Sequence, residues 1–200
     1  MKNFKGLTLV AGCDEVGRGC LAGPVVAAAV ILPRVYNHVL LKDSKNLTER
    51  QRIHLDAVIR AEAIDWAIGC AMPDEIDKIN VLNASHLAMH RAIDKLCVQP
   101  GLLLIDGIHF KPYPNTKHIC LVKGDQKVSS IAAASVIAKV YRDRYMQELA
   151  QREPGYNWEA NMGYPTMCHR KAIEELGITT HHRKSFSPVT EKLNPTLWAC

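Results

Sequence analysis

The fold is decided by the stretch Gly-Cys-Asp-Glu-Val-Gly-Arg-Gly at residues 12–19. The apolar run just before it, residues 7–11, predicts a buried strand that ends in two adjacent carboxylates. Two adjacent carboxylates at the end of a buried strand repel each other and are costly to desolvate unless a cation joins them. We therefore expect Asp14 and Glu15 to bind a cation.

The chemistry of the acidic pair favours a divalent metal ion. Mg²⁺ prefers carboxylate oxygens and keeps several waters that a substrate phosphate can replace. Gly17, Arg18 and Gly19 would then form a loop whose main chain approaches a ligand closely, because glycine has no side chain in the way. The alternative is a solvated Asp-Glu turn after a strand, which is the commoner fate of an isolated acidic pair. Further motifs in the chain are needed to distinguish a metal site from a solvated turn.

Acidic residues also follow two later apolar runs. Leu-Leu-Leu-Ile at residues 102–105 leads into Asp106, and Ile-Cys-Leu-Val at residues 119–122 leads through Lys-Gly into Asp125. In open α/β sheets, ligands bind outside the carboxyl ends of the strands. Asp106 and Asp125 are therefore predicted to share one rim of a sheet with the first acidic pair, although for Asp106 alone a helix cap or a turn is a fair alternative.

The remaining elements follow from apolar periodicity and from cap and turn residues. The unbroken apolar run at residues 25–32 predicts a strand covered on both faces. Thr48 and Gln51 form a capping-box pattern that predicts the start of a helix. Further predictions are a strand at residues 63–71, a helical region from Pro73 to the Pro100-Gly101 pair, a long helix at residues 128–149, and a last helix capped by Thr166 and ended by Gly177.

Four motifs, taken in order, resemble bacterial ribonuclease HII. Asp-Glu-Val-Gly-Arg-Gly at residues 14–19, followed by Leu-Ala-Gly-Pro-Val-Val-Ala, is similar to the opening of that family. The later motifs are Leu-Ile-Asp-Gly at 104–107, Lys-Gly-Asp at 123–125 and Met-Gly-Tyr-Pro-Thr at 162–166. Each motif alone is weak, whereas the ordered set, from about residue 10 to about residue 189, is specific.

The resemblance implies an α/β fold, a ribonuclease H-like mixed sheet flanked by helices with a small helical C-terminal part. We expect a single catalytic domain over residues 1–200, with its core at about 7–150 and the helical part at about 151–190. The implied protein is an endoribonuclease. It would hydrolyse the RNA strand of RNA-DNA hybrids and cleave at ribonucleotides embedded in duplex DNA, leaving 3′-hydroxyl and 5′-phosphate ends. The alternatives are a non-catalytic nucleic-acid-binding protein of the same fold and a metal-dependent phosphatase.

The resemblance also assigns roles to particular residues. The implied catalytic residues, which are also the implied ligands of Mg²⁺ or Mn²⁺, are Asp14, Glu15, Asp106 and Asp125. The implied substrate-binding residues are Gly17, Arg18, Gly19, Lys45 and Tyr164. A solvated loop lysine and a tyrosine packed in the core are the alternatives for the last two. The family often has proline where this chain has Cys20, which predicts a less rigid loop at that point.

Composition agrees with a compact enzyme that acts on a polyanion. The chain has 200 residues, of which 48% are hydrophobic, and a formal net charge of +5. This composition is enough to build a core, and the charge permits a nucleic-acid partner without requiring one. Seven cysteines without a Cys-x-x-Cys pattern indicate neither a disulfide framework nor a zinc ribbon. We expect a cytoplasmic monomer without signal peptide or membrane span, whose partner is an RNA-DNA hybrid or a ribonucleotide-containing duplex.

Three further groups of polar residues carry secondary predictions. His86 and His90 have metal-ligand spacing but no accompanying third ligand, so we expect them to be surface or packing histidines rather than metal ligands. Asp143 is predicted to pair with the cations near it on the long helix, Lys139, Arg142 and Arg144. The most basic region comprises His169, Arg170, Lys171, His181, His182, Arg183 and Lys184. Its side chains are expected either to follow a phosphate backbone or to form a solvated face.

Overall fold

A computed structural model describes residues 9–36, 38–41 and 47–193 of the chain. The strands of its sheet are β1 (Val10–Val16), β2 (Val25–Ile31), β3 (Asp65–Ala71), β4 (Leu102–Asp106) and β5 (Lys117–Leu121). They form one mixed sheet in the order β3-β2-β1-β4-β5. β1, β4 and β5 are parallel to one another, whereas β2 is antiparallel to β1 and β3. The mixed sheet implied by the resemblance is confirmed.

Helices connect and flank the strands. They are α1 (Glu49–Glu62), α2 (Pro73–Asp94), α3 (Ser129–Arg152), α4 (Trp158–Asn161), α5 (Met167–Leu176) and α6 (Val189–Leu193), with a 3₁₀ turn at Gly124–Gln126. The predicted capping box is confirmed, since Thr48 and Gln51 each accept the other's main-chain N–H. The predicted cap of α5 is also confirmed, because Thr166 Oγ1 accepts the N–H of His169. No helix in the described ranges is long and apolar enough to cross a membrane.

The central strand β2 is covered on both faces. All seven of its residues are buried. Neighbouring side chains on a strand point to opposite faces. Ala27 and Ala29 accordingly pack in the cluster that contains α2 residues, whereas Ala28 and Val30 pack with residues of α1 and α3. The prediction from its unbroken apolar run is therefore confirmed.

Gly12 allows α3 to lie directly on β1. A Cβ atom at this position would lie 2.3 Å from the main-chain N of Ile131, which is closer than real Cβ atoms approach. About one turn further along α3, Ser135 lies near enough to Asp14 for its hydroxyl to lower the pKa of that carboxyl. The glycine therefore brings a helix hydroxyl to the first residue of the acidic pair.

Helix α2 is kinked and shorter than predicted. Asn80 has a φ of 64°, and its Oδ1 accepts the N–H of Leu82 at 3.0 Å, so the side chain caps the second half of the helix. The helix ends at Asp94, before the predicted Pro100-Gly101 stop. The reason is a tertiary contact, since the N–H of Val98 donates to Asp65 on β3 and leads the chain out of the helix.

The C-terminal part packs on the turn between β1 and β2. Leu21 in that turn is buried together with Met146 of α3, Trp158 of α4 and Ile173 of α5. The main chain is tied as well, because the N–H of Leu21 donates to the carbonyl of Gly163 at 2.8 Å. The segment that follows the acidic pair is thus held by the last third of the chain.

Candidate active site

The acidic pair lies at the end of the first strand, as predicted. β1 runs from Val10 through Asp14 and Glu15 to Val16, so it ends in the two carboxylates and one further residue. Asp14 lies opposite Ala28 and Glu15 opposite Ala27 on β2. Because these alanine side chains are small, β2 can pair with β1 as far as the acids. The main chain of β2 therefore supplies hydrogen-bond partners that the sequence of β1 alone does not show.

The parallel partner strand brings a third acid to the pair. β1 and β4 pair up to Cys13 opposite Ile105. The next residues along the two strands are Asp14 and Asp106, and β4 ends there. Asp106 therefore lies at the carboxyl end of its strand beside Asp14, as the repeated strand-then-acid pattern predicted for these two residues.

The three carboxylates influence one another electrostatically. Burial, followed by the charges of Glu15 and Asp106, raises the pKa of Asp14 well above its ordinary value, against hydrogen bonds from Ser135 and from the N–H of Glu15. Burial also raises the pKa of Glu15, opposed mainly by Arg18, whose Nη1 lies 3.1 Å from Glu15 Oε1. Neighbouring carboxylates that raise the pKa of a buried acid form a site that a cation would stabilise.

Asp125 lies close to this group through a turn after β5. Asp106 Oδ1 accepts the N–H of Gly124 at 2.6 Å. Asp125 is the next residue, is 5% exposed, and belongs to the 3₁₀ turn that leads into α3. The turn starts at Lys123 with a left-handed φ of 53°. Asp125 thus directly follows Gly124, the residue whose N–H binds the Asp106 carboxylate.

The donor set suits a hard cation, but its side chains are engaged elsewhere. Carboxylate oxygens are the ligands that Mg²⁺ and Mn²⁺ favour. Within the described residues, no group of three or more His, Cys, Asp or Glu side chains is arranged to hold a metal as it stands. Glu15 is turned to Arg18 and Asp106 to the N–H of Gly124. A metal would have to replace or rearrange these contacts.

The glycine loop at residues 17–19 begins where β1 ends. Gly17 has a φ of +90°, and a Cβ there would lie 2.2 Å from Arg142 Nε. Gly19 differs, since a Cβ there would have nothing within 4 Å. Among the described residues, the N–H groups of Arg18 and Gly19 have no hydrogen-bond partner. The loop therefore presents main-chain donors and an open face beside Glu15.

Tyr164 lies at the surface beside this loop. Its side chain is 37% exposed, and the Arg142 guanidinium lies 5.9 Å from its ring centroid. Burial, followed by the neighbouring Cys20, raises the pKa of Tyr164. The position favours a ring available to substrate over a ring packed in the core.

Other predicted residues have different outcomes. Lys45 lies outside the described residues. His86 and His90 do pack, since each Nε2 contacts a backbone carbonyl, that of His109 and that of Lys111 respectively. Asp143 pairs with Lys139 at 2.7 Å, as predicted. The prediction for Arg142 is wrong, because its guanidinium is buried and donates to carbonyls instead.

Sequence reasoning also missed a buried polar group in the basic C-terminal region. His169, His182 and Arg183 are at most 1% exposed. They form neither a phosphate track nor a solvated face, so both predictions for this region fail at these residues. Charged and imidazole side chains are usually exposed, so this segment is expected at the surface. Burial of these side chains requires hydrogen-bond partners that are distant in the chain, which local sequence does not reveal. Sequence reasoning also missed Ser135 on α3, whose hydroxyl lowers the pKa of the Asp14 carboxyl.

The mixed sheet, the helices on both faces and the carboxylates at the ends of β1 and β4 correspond to a ribonuclease H-like α/β fold. A family model described as ribonuclease HII matches residues 11–189. The chain belongs to the ribonuclease HII family. It is 59% identical over 183 residues to a ribonuclease HII from Parabacteroides distasonis, with 92% of each chain covered.

Solved structures agree with this assignment. The crystal structure of ribonuclease H2 from Pyrococcus horikoshii matches with a TM-score of 0.75 and 25% identity, covering 92% of this chain and 97% of that one. A Bst ribonuclease HIII in complex with Mn²⁺ matches in fold, with a TM-score of 0.68 at 21% identity, covering 94% of this chain and 70% of that one.

Membership of the family confirms the predicted class of activity. The protein is a ribonuclease H, a hydrolase that acts on phosphodiester bonds, and its family is metal-dependent and acts on RNA-DNA hybrids.

Proposed function

We propose that the protein is an endonuclease that cleaves the RNA strand of RNA-DNA hybrids and also cleaves at single ribonucleotides within duplex DNA. One observation carries the proposal: the carboxylates of Asp14, Glu15 and Asp106 lie together beside a loop with unused N–H groups. Such an arrangement offers a cation site next to donors for a sugar hydroxyl. The products would be 3′-hydroxyl and 5′-phosphate ends.

The carboxylates would hold Mg²⁺ or Mn²⁺, with Asp14, Glu15 and Asp106 as ligands and Asp125 completing the set. Bound divalent ions lower the pKa of an attacking water and stabilise the leaving oxygen of a phosphodiester. The chain's own contribution is to hold the acids close together at the ends of β1 and β4. The hydroxyl of Ser135 favours the ionised form of Asp14, and Arg18 would neutralise Glu15 until a metal replaces it.

Recognition of RNA would depend on the ribose 2′-hydroxyl, since that group distinguishes the cleaved nucleotide from DNA. The N–H groups of the 17–19 loop are suited to bind it because no other described residue uses those of Arg18 and Gly19. Tyr164 would stack on the nucleotide that follows, from its half-exposed position beside Cys20. Lys45 stays a proposed phosphate contact on the strength of the resemblance alone.

The decisive experiment compares three substrates in the presence of Mg²⁺ or Mn²⁺. They are a DNA duplex with one ribonucleotide, an all-DNA duplex of the same sequence and a phosphomonoester. We expect cleavage of the first alone, with 5′-phosphate ends that a ligase can rejoin. Binding without cleavage would support a non-catalytic nucleic-acid-binding protein, and hydrolysis of the phosphomonoester would support a phosphatase.

An Asp106→Asn variant is the matched control, because it removes one charge and keeps the size of the side chain. It should bind the duplex and fail to cleave it.

We further propose that the protein acts as a monomeric single domain in the reducing cytoplasm, in keeping with the free cysteines of the described chain. Light scattering of the protein with and without duplex measures the oligomeric state, and a dimeric mass would contradict it.

A further inference from the structure

Two arginines are fully buried behind the 17–19 loop. Arg142 and Arg183 are both 0% exposed. Neither forms an ion pair with a carboxylate of the described residues. A buried charge without an ionic partner is costly and persists only where hydrogen bonds satisfy it. Both guanidinium groups are satisfied by main-chain carbonyls instead.

Arg183 binds the beginning of the loop. Its Nη2 donates to the carbonyl of Gly17 at 2.7 Å, and its Nη1 donates to the carbonyl of Arg18 at 2.8 Å. Nε and Nη2 also donate to Gly23 at 3.0 and 2.9 Å. One planar group thus fixes three carbonyls at both ends of the turn, which a lysine ammonium could not do with the same geometry.

These contacts determine where the loop's N–H groups point. In a trans peptide unit, the C=O of one residue and the N–H of the next point in opposite directions. The carbonyl of Gly17 shares its peptide unit with the N–H of Arg18, and the carbonyl of Arg18 shares its unit with the N–H of Gly19. Because both carbonyls face the Arg183 guanidinium, both N–H groups face away from it.

Arg183 is itself held in place from three sides. Its N–H donates to the carbonyl of Leu21 at 2.8 Å. Asp77 on α2 accepts the N–H groups of Lys184 and Ser185, both at 2.9 Å. The preceding residue, His182, accepts the N–H of Thr179 at its Nδ1. The main chain that carries the Arg183 side chain is therefore held in place, and the guanidinium can orient the loop.

A buried histidine pair links this segment to Tyr164. Since His182 Nδ1 accepts a hydrogen bond, its Nε2 carries the proton and faces His169 Nε2 at 3.2 Å. His169 Nε2 also accepts the Trp158 N–H at 2.9 Å, so His169 carries its proton on Nδ1 and donates to the carbonyl of Tyr164 at 3.0 Å. The loop and the tyrosine turn are thus positioned by one connected set of hydrogen bonds.

We propose that Arg183 is a positioning residue that sets the direction of the Arg18 and Gly19 N–H groups and thereby the selectivity of the enzyme for a ribonucleotide. This inference rests on the proposed function, in which those N–H groups bind the 2′-hydroxyl. The competing explanation is that Arg183 only attaches the C-terminal part to the sheet. In that case its replacement would lower the folded fraction and leave the preference for ribose unchanged.

The test measures the Kd values of one protein for two duplexes. Their ratio does not depend on the fraction of the protein that is folded. All proteins carry Asp106→Asn so that nothing is cleaved, and each is titrated in Mg²⁺ with two duplexes that differ by one 2′-hydroxyl. The variants are Arg183→Lys, which keeps the charge and loses the planar fork, and Arg183→Gln, which keeps a planar donor and loses the charge. The matched control is Arg91→Lys, since Arg91 also bonds a carbonyl, that of Cys70, but lies between α2 and β3.

We expect the preference for the ribonucleotide duplex, as a ratio of Kd values, to fall about tenfold in Arg183→Lys, the size of a lost charged hydrogen bond. The Arg91 control should keep the wild-type ratio. An unchanged ratio in folded Arg183 variants would overturn the inference and leave the proposed function standing. So would failure of both Arg183 variants to fold while the control folds, since the guanidinium would then be a requirement of the fold. If the protein with unmodified Arg183 showed no preference, the proposed reading of ribose by the loop would itself be wrong.

Discussion

The two glycines of the 17–19 loop should respond differently to the same added methyl group. At Gly17 an alanine would keep a left-handed φ of +90°, which costs about 1–2 kcal/mol for an L-residue. Its Cβ would also meet Arg142 Nε at 2.2 Å and the carbonyl of Pro24 at 2.9 Å, and overpacking of this kind costs about 1–3 kcal/mol. Gly17→Ala should therefore destabilise the fold by about 2–5 kcal/mol. Gly19 has open space, so Gly19→Ala should change stability by no more than about 0.5 kcal/mol.

The assay pairs thermal unfolding with cleavage of a single-ribonucleotide duplex. For a chain of this size each kcal/mol lowers the Tm by about 2–4 °C, so the two variants are easily separated. Gly19→Ala should keep the wild-type Tm and lose about tenfold or more in kcat/KM, because its methyl group lies where the substrate would approach. Full activity in a stable Gly19→Ala protein would refute the close approach of main chain to ribose. Equal stability of the two variants would refute the packing argument at Gly17.

Asp14→Asn should abolish cleavage and raise the Tm of the metal-free protein at neutral pH. Burial and the charges of Glu15 and Asp106 raise the pKa of Asp14, so above its ordinary pKa the folded state loses stability as pH rises. If Mn²⁺ raised the Tm of the variant as much as that of the wild type, the ligand assignment would fail. Tyr164→Ala should lose most activity on a single embedded ribonucleotide, and Tyr164→Phe should keep much of it, because stacking contributes about 1–3 kcal/mol. The Tm should barely move, and an activity loss that merely followed the folded fraction would place the ring in the core. Burial lowers the pKa of His182 from 6.5 to about 4, so stability should fall as pH decreases through this range, where the unfolded chain takes up the proton first. Urea titrations of His182→Asn should show a flatter dependence, and curves parallel to the wild type would assign the loss to another group.

Much of the fold could be read from local sequence. The buried strand β2, the caps at Thr48 and Thr166 and the strand that ends in Asp106 were all predicted from residues within a few positions of one another. Such signals act locally, since a cap or an apolar run finds its partners within a turn or within the same strand. Element boundaries were less accurate where a distant residue intervened, as Asp65 does at the end of α2.

The sequence predicted which acids form the candidate site, and the structure showed how their side chains are arranged. The sequence indicated that Asp14, Glu15 and Asp106 belong together, because strand-then-acid patterns place acids on one rim. It did not show that Ala28 and Ala27 of β2 lie opposite the acidic pair, since strand pairing depends on residues that are distant in the chain. Glu15 is likewise turned to Arg18, a contact that sequence spacing allows but does not require.

The sequence by itself indicated the acids and the glycine loop through short motifs, and the class of fold through the resemblance of those ordered motifs to one family. Only the tertiary structure showed how the loop is held. Arg142 reaches the carbonyl of Pro24 across 118 residues of chain, and Arg183 reaches that of Gly17 across 166. A main-chain carbonyl carries no side-chain identity, so nothing in the sequence indicates which arginine will bind it. The burial of these two charges is decided by packing of the C-terminal part against the turn after β1, which no local pattern encodes.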